Sequence, residues 1–123
     1  MLQEKNIAII GPGVMGKTLA LSLIRTGNLP PEQIALAGPN ADRLNQLASE
    51  LGVRTFSDNQ AASNDADIII LAVKPQRLDE ATQTLKGNIS SGKLVISILA
   101  GVPISVLEQK LATRCIVRAM PNT

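Results

Sequence analysis

Apolar residues occur along the chain in short runs that alternate with helix-like stretches. Runs rich in β-branched residues predict strands, whereas apolar residues three or four positions apart predict helices. The predicted strands cover residues 5–10, 33–37, 53–56, 67–73, 93–98 and 115–118. The first predicted helix ends near residue 26, and the others cover residues 41–51, 58–63, 75–86 and 103–111.

This alternation predicts an α/β fold: a Rossmann-like, doubly wound, mostly parallel sheet with helices on both faces. Residues 67–73 are apolar on both faces, as expected for a central strand. Right-handed crossovers favour the strand order 3-2-1-4-5-6. No repeat or linker divides the chain, so residues 1–123 are predicted to be one domain.

The residue types and charge patterns that the chain lacks exclude several classes of function. The chain is 45% hydrophobic and 18% charged, and its net charge of +2 forms no basic stripe, so we expect no nucleic-acid or membrane partner. Without histidine there is no Ser-His-Asp triad and no histidine-ligated metal, and we predict no metal site. The single cysteine, Cys115, lies in an apolar run and is predicted to be a buried core residue. No signal peptide or membrane span is predicted, so a cytoplasmic location is expected.

A glycine-rich segment at residues 11–16 stands between the first strand and the first helix. Gly11 would allow the tight turn, Gly13 the approach of a pyrophosphate, and Gly16 the close packing of helix on strand. The free N–H groups and partial positive charge of a helix N-terminus suit such an anion. In this strand–turn–helix setting the pattern predicts dinucleotide binding.

The end of the second strand bears on the choice of cofactor. An NAD site usually has an acidic residue there for the ribose 2′-hydroxyl, but no acid occurs before Asp42. A 2′-phosphate would therefore meet no repulsion, and Asn40 and Arg43 could donate hydrogen bonds to it. We predict NADP(H), with NAD(H) as the alternative. The alternative for these two residues is a helix cap at Asn40 and a solvated charge at Arg43.

Two further positions follow strands, where ligands sit in open α/β sheets. Lys74, before Pro75, could face the cofactor or an acidic substrate, or could simply point into water. Ala100 and Gly101 follow the next strand, and their small size would admit the nicotinamide or reflect an ordinary loop.

Four segments in order resemble the amino-terminal, cofactor-binding domain of the pyrroline-5-carboxylate reductase family. They are Ile-Ile-Gly-Pro-Gly-Val-Met-Gly at 9–16, Leu-Ala-Val-Lys-Pro-Gln at 71–76, Ser-Ile-Leu-Ala-Gly-Val at 97–102 and Arg-Ala-Met-Pro-Asn-Thr at 118–123. The segments at 73–76 and 118–123 are far more specific than the glycines. Pro12, Val14 and Leu99 depart from the residues that the family often has there.

The resemblance implies reduction of 1-pyrroline-5-carboxylate to L-proline by a hydride from NAD(P)H. It also implies a helical carboxyl-terminal domain that builds a homo-oligomer and much of the substrate pocket. That domain is absent here, so this chain alone is expected to be inactive. Lys74 and Asn122 are candidate pocket residues, and no catalytic residue is assigned. The predicted cofactor-binding residues are Gly11, Pro12, Gly13, Val14, Met15, Gly16, Asn40, Arg43, Val73, Lys74, Pro75, Ala100 and Gly101. Pro121 and Asn122 would lie near the nicotinamide and the substrate entrance.

Two other functions remain open. One is another NADP-dependent oxidoreductase with the same glycine loop, such as a β-hydroxyacid dehydrogenase or a deazaflavin-dependent NADP reductase, which the more specific segments disfavour. The other is a reductase-like paralogue that binds a nucleotide without catalysis.

Overall fold

The computed structural model describes residues 4–119. The strands are β1 (Ile7–Ile10), β2 (Ile34–Ala37), β3 (Arg54–Phe56), β4 (Ile68–Leu71), β5 (Leu94–Ser97) and β6 (Ile116–Arg118). The helices are α1 (Val14–Arg25), α2 (Ala41–Leu51), α3 (Asn59–Asn64), α4 (Leu78–Gln83) and α5 (Ile104–Leu111). Short 3₁₀ turns at Pro31–Gln33 and Pro75–Arg77 precede β2 and α4.

The six strands form one parallel sheet in the order β3-β2-β1-β4-β5-β6. This confirms the predicted fold class and strand order. Ile7 at the start of β1 pairs with Ile34 of β2 on one side and with Ile68 of β4 on the other. The order of strands reverses at β1, and this reversal opens a crevice beyond the carboxyl ends of β1 and β4.

Helices lie on both faces of the sheet, and each face has its own apolar core. On one face α1 and α2 pack over the central strands, with Ala20 and Leu47 fully buried against Ile9 and Leu36. On the other face α3, α4 and α5 contribute Ala62, Ala81, Leu107 and Leu111, which pack with Ile69 and Leu71. The central strands are thus buried on both sides, which explains their continuous apolar sequence.

The predicted helix ends are largely confirmed. Asp58 caps α3 by accepting a hydrogen bond from the Gln60 N–H, and α2 ends at Gly52 in a left-handed conformation with φ +76°. The helix predicted over residues 75–86 is shorter and begins with the 3₁₀ turn. It gives way to turns after residue 83, where the Leu85 N–H donates to the Thr82 carbonyl. Within residues 4–119 no helix is both long and apolar enough to cross a bilayer.

The prediction that Cys115 is a buried strand residue is wrong. Cys115 is exposed and lies just before β6, although its carbonyl accepts a hydrogen bond from the Val95 N–H. Side chains alternate along a strand, so the side chains of Cys115 and Val117 point to the side opposite the buried Ile116. There Val117 is 49% exposed, because the described helices leave that face of the edge strand β6 largely uncovered.

Candidate functional site

A cleft of about 610 Å³ lies beyond the carboxyl ends of β1, β2, β3 and β4. Its size is within the roughly 300–1,000 Å³ of small-molecule sites. The predicted site residues that line it are Gly11, Pro12, Gly13, Asn40, Arg43, Val73 and Lys74. Segments that are far apart in the sequence thus meet at the predicted crevice.

Gly11 and Gly16 are required for the packing of the chain, independently of any ligand. Gly11 has φ +116°, and a Cβ there would lie 2.7 Å from the Ala72 carbonyl oxygen. A Cβ on Gly16 would lie 1.9 Å from the Gly11 carbonyl oxygen. Both contacts are with backbone atoms, so a side chain at Gly11 would displace the segment after β4, and one at Gly16 would force α1 away from the glycine loop.

Gly13 differs from both of them. Its φ of −75° is open to any residue, and a Cβ there would meet nothing within 4 Å. Neither backbone conformation nor internal packing therefore calls for glycine at this position. Gly13 lines the cleft, so the missing side chain leaves space that faces a ligand.

Within residues 4–119, the N-terminus of α1 lacks the side-chain cap that α2 and α3 have. Asn40 caps α2 by accepting from the Arg43 N–H at 3.1 Å, and Asp58 caps α3. At α1, by contrast, the described residues provide no side-chain cap, and the first turn holds no acidic residue. The first N–H groups of a helix have no partner within it, so this end is suited to an anion.

The turn after β2 is fitted to the glycine loop. A Cβ on the buried Gly38 would lie 2.4 Å from Cγ of Pro12, so the proline ring packs where a side chain would otherwise be. Arg43 reaches the same residue, donating from Nε to the Pro12 carbonyl at 3.0 Å. Asn40 is thus a helix cap, as one prediction had it, whereas Arg43 is half-buried and bonded to the loop.

Charges in the cleft are unevenly compensated. Arg77 pairs with Glu80 at 3.0 Å, and Asp58 is engaged as a helix cap. Among the described residues Arg43 and Lys74 form no ion pair within 4 Å with a carboxylate. The cleft lining thus holds three cations (Arg43, Lys74 and Arg77) and two carboxylates (Asp58 and Glu80), a small excess of positive charge that would suit a negatively charged ligand.

One wall of the cleft consists of residues that were not predicted from the sequence. This wall consists of Ser57, Asp58, Asn59, Arg77, Glu80, Ala81 and Thr84. It is tied together where the Asn59 side chain donates from Nδ2 to the Ala81 carbonyl at 3.0 Å. Two signals could have found it: the first three residues follow β3, and the last four are spaced as one face of a helix.

Several predicted site residues do not line this cleft within the described part of the chain. They are Val14, Met15, Gly16, Pro75, Ala100 and Gly101. Pro121 and Asn122 lie outside the described residues. Roles for all of these in binding stay predictions.

Comparison with known proteins agrees with this geometry. Residues 6–101 match the family model described as NADP oxidoreductase, coenzyme F420-dependent. The chain is 43% identical to the pyrroline-5-carboxylate reductase of Methanosarcina acetivorans, over 98% of this chain and 45% of that protein. It thus spans less than half the length of such relatives.

Solved structures give the same result. The pyrroline-5-carboxylate reductase of Coxiella burnetii superposes with a TM-score of 0.88 and 36% identity, over 97% of this chain and 44% of that one. The Plasmodium falciparum pyrroline carboxylate reductase, solved with NADP bound, gives a TM-score of 0.82 and 28% identity over 98% and 43%. The resemblance predicted from the four segments is confirmed.

Proposed function

The chain belongs to the family of coenzyme F420-dependent NADP oxidoreductases, and from that premise we propose that it is the NADP-binding domain of a pyrroline-5-carboxylate reductase. The similarity to named reductases over 98% of the chain supports this specific activity. When bound, the reduced nicotinamide would supply a hydride to the carbon of the C=N bond of 1-pyrroline-5-carboxylate while the nitrogen takes a proton from solvent, and the product is L-proline.

One observation carries the proposal of dinucleotide binding. Gly13 has an ordinary backbone conformation and open space at its Cβ position, beside an α1 N-terminus without a side-chain cap. A pyrophosphate needs this combination, because its oxygens must approach backbone N–H groups with no side chain between. Gly11 and Gly16 would hold the loop in the required shape.

The two cations orient the cofactor. Arg43 and the amide of Asn40, at the start of α2, would bind the adenosine end and its 2′-phosphate. In this arrangement the Nδ2 donor of Asn40 would face a ligand while its Oδ1 caps α2. Val73, Lys74 and Pro75 follow β4 and would lie near the nicotinamide ribose. No carboxylate occurs between β2 and Asp42, which favours NADP(H) over NAD(H).

A second candidate has specific support. The matching family model is named for coenzyme F420, a deazaflavin, so the hydride partner could be that coenzyme instead of an imine. The match ends at residue 101, whereas similarity to the reductases continues over 98% of the chain. The imine is therefore our first choice.

The direct test is a fluorescence titration of the purified chain with NADPH and, separately, NADH. The protein has no Trp or Tyr, so its own emission does not overlap the dihydronicotinamide signal. We expect saturable binding with NADPH about tenfold or more tighter, the value of one charge-assisted contact. Binding of neither nucleotide would overturn the proposal.

The acceptor is tested by exchange of domains. The segment of the Coxiella burnetii reductase that matches this chain is replaced by this chain, and NADPH oxidation is followed with 1-pyrroline-5-carboxylate or coenzyme F420 added. We expect turnover with the imine alone, which would show that this domain positions NADPH as the replaced reductase segment does, because the rest of the chimera supplies much of the substrate pocket. A chimera that binds NADPH and transfers hydride only to coenzyme F420 would establish the second candidate.

A further inference from the structure

Arg43 is held at both sides of its guanidinium group before any ligand is considered. Nε donates to the Pro12 carbonyl at 3.0 Å, and Nη1 donates to Oε1 of Gln46 at 3.3 Å. Both acceptors are neutral, so the positive charge is kept. Arginine has five N–H donors, and these bonds leave others for a ligand in the cleft.

Gln46 lies one helical turn after Arg43 on α2, and Glu50 lies one turn further, so the three residues share a helix face. Glu50 pairs with Lys17 of α1 at 2.8 Å. The hydrogen bond and positive charge of Lys17 hold the pKa of the Glu50 carboxyl below its usual value, and Gln46 and Arg43 lower it slightly further. Gln46 thus sits between Arg43 and an ion pair that joins α2 to α1.

The Pro12 carbonyl, which accepts from Nε of Arg43, is itself held in position by the fold. The Pro12 ring packs against Gly38, and the Gly11 N–H donates to the Ala37 carbonyl at 2.9 Å. The carbonyl that Arg43 binds is therefore fixed relative to β2. A long side chain with two such anchors loses little further freedom when it binds a phosphate, which is the advantage of preorganisation.

We propose that Gln46 is a positioning residue for Arg43 and thereby sets the preference of this site for NADPH over NADH. The inference rests on the proposed function, because it requires Arg43 to bind the 2′-phosphate. Gln46 itself does not line the cleft within the described residues, so it acts only through Arg43. Only the cofactor that carries the extra phosphate should respond to its loss.

The test compares Gln46→Leu with Gln109→Leu, a matched change of an exposed glutamine on α5. Dissociation constants for NADPH and NADH and the thermal midpoint of the free protein are measured for each variant. We expect Gln46→Leu to weaken NADPH about three- to tenfold, the value of one net hydrogen bond, and to leave NADH within about twofold. Its thermal midpoint should match that of the control.

A purely structural role would weaken both nucleotides alike or lower the thermal midpoint, and either result overturns the inference. Gln46→Glu sharpens the test, since the new carboxylate would neutralise Arg43 and should weaken NADPH more than Gln46→Leu does. Arg43→Ala separates the two proposals. If it abolishes the preference for NADPH while Gln46→Leu keeps it, only the positioning role fails. If the unmodified protein shows no preference or no binding, the cofactor assignment fails as well.

Discussion

The central strand β4 and the edge strand β6 of the same sheet both come from apolar segments, but their side chains are buried to different extents. Strand β4 is an apolar run, and three of its four residues are buried. Strand β6 also follows an apolar pattern, but only Ile116 is buried, and the preceding Cys115 is exposed. An apolar run therefore indicates a strand, but its burial depends on how many layers cover it.

The same contrast applies to function. Around β1 and β2 the glycine loop, the turn at Gly38 and the start of α2 fit together through backbone-scale contacts. After β5, Ala100 and Gly101 are exposed and do not line the cleft in the described part of the chain. The positions of the residues near β1 and β2 are thus fixed by contacts within this domain.

Loss of the fold is expected from Gly16→Ala, because the new Cβ would lie 1.9 Å from the Gly11 carbonyl oxygen. Destabilisation should reach about 3 kcal/mol or more. Urea unfolding followed by circular dichroism measures it. Gly13→Ala is the matched control and should change stability by less than about 1 kcal/mol, since its Cβ meets nothing. Equal stability of the two variants would remove the distinction between the glycines.

Loss of cofactor is expected from Gly13→Val while the fold remains. The side chain would fill the space at the start of α1, and NADPH should bind about 100-fold or more weakly. The fluorescence titration measures affinity, and circular dichroism checks the fold. Ser22→Val, an exposed position further along α1, serves as control and should bind normally. Unchanged affinity in Gly13→Val would show that the loop is not the site.

At the β6 edge, the thiol of Cys115 should react in the folded protein. The side chain is exposed, so its rate with a thiol reagent should be within about tenfold of the rate in the unfolded chain. Absorbance of the released chromophore, with and without denaturant, measures this ratio. A thiol that reacts only after denaturation would restore the view that both regions are equally buried.

The smallest expected effect is a change in pH dependence near the glycine loop. Lys17 lowers the pKa of Glu50 in the folded protein. A lowered folded pKa stabilises above the unfolded pKa, and this stabilisation is lost as pH falls through the folded value. Glu50→Gln should therefore lower the thermal midpoint slightly at neutral pH, with the difference from the unmodified protein vanishing in acid. A difference that grows in acid would contradict this sign.

Much of the site could be predicted because it depends on contiguous sequence. The glycine spacing, the absence of an acid between β2 and Asp42, and the residues Val73 and Lys74 after β4 are local features placed by one general rule of parallel sheets. The wall formed by residues 57–59 and by Arg77, Glu80, Ala81 and Thr84 was missed because it exists only once two separate segments meet, where the Asn59 side chain donates to the Ala81 carbonyl. Likewise, no local pattern predicts that Arg43 turns back to the Pro12 carbonyl, which is 31 positions away in the sequence.

Periodicity, glycine positions and strand-end residues are thus enough to predict the fold class, the strand order and the location of the cleft. These follow from backbone sterics and from the handedness of crossovers, which act over a few residues at a time. The exposure of Cys115, the far wall of the cleft and the anchoring of Arg43 depend on packing between distant segments. These features depend on which segments meet and which surfaces stay uncovered once the helices have packed on the sheet. No short stretch of sequence determines this.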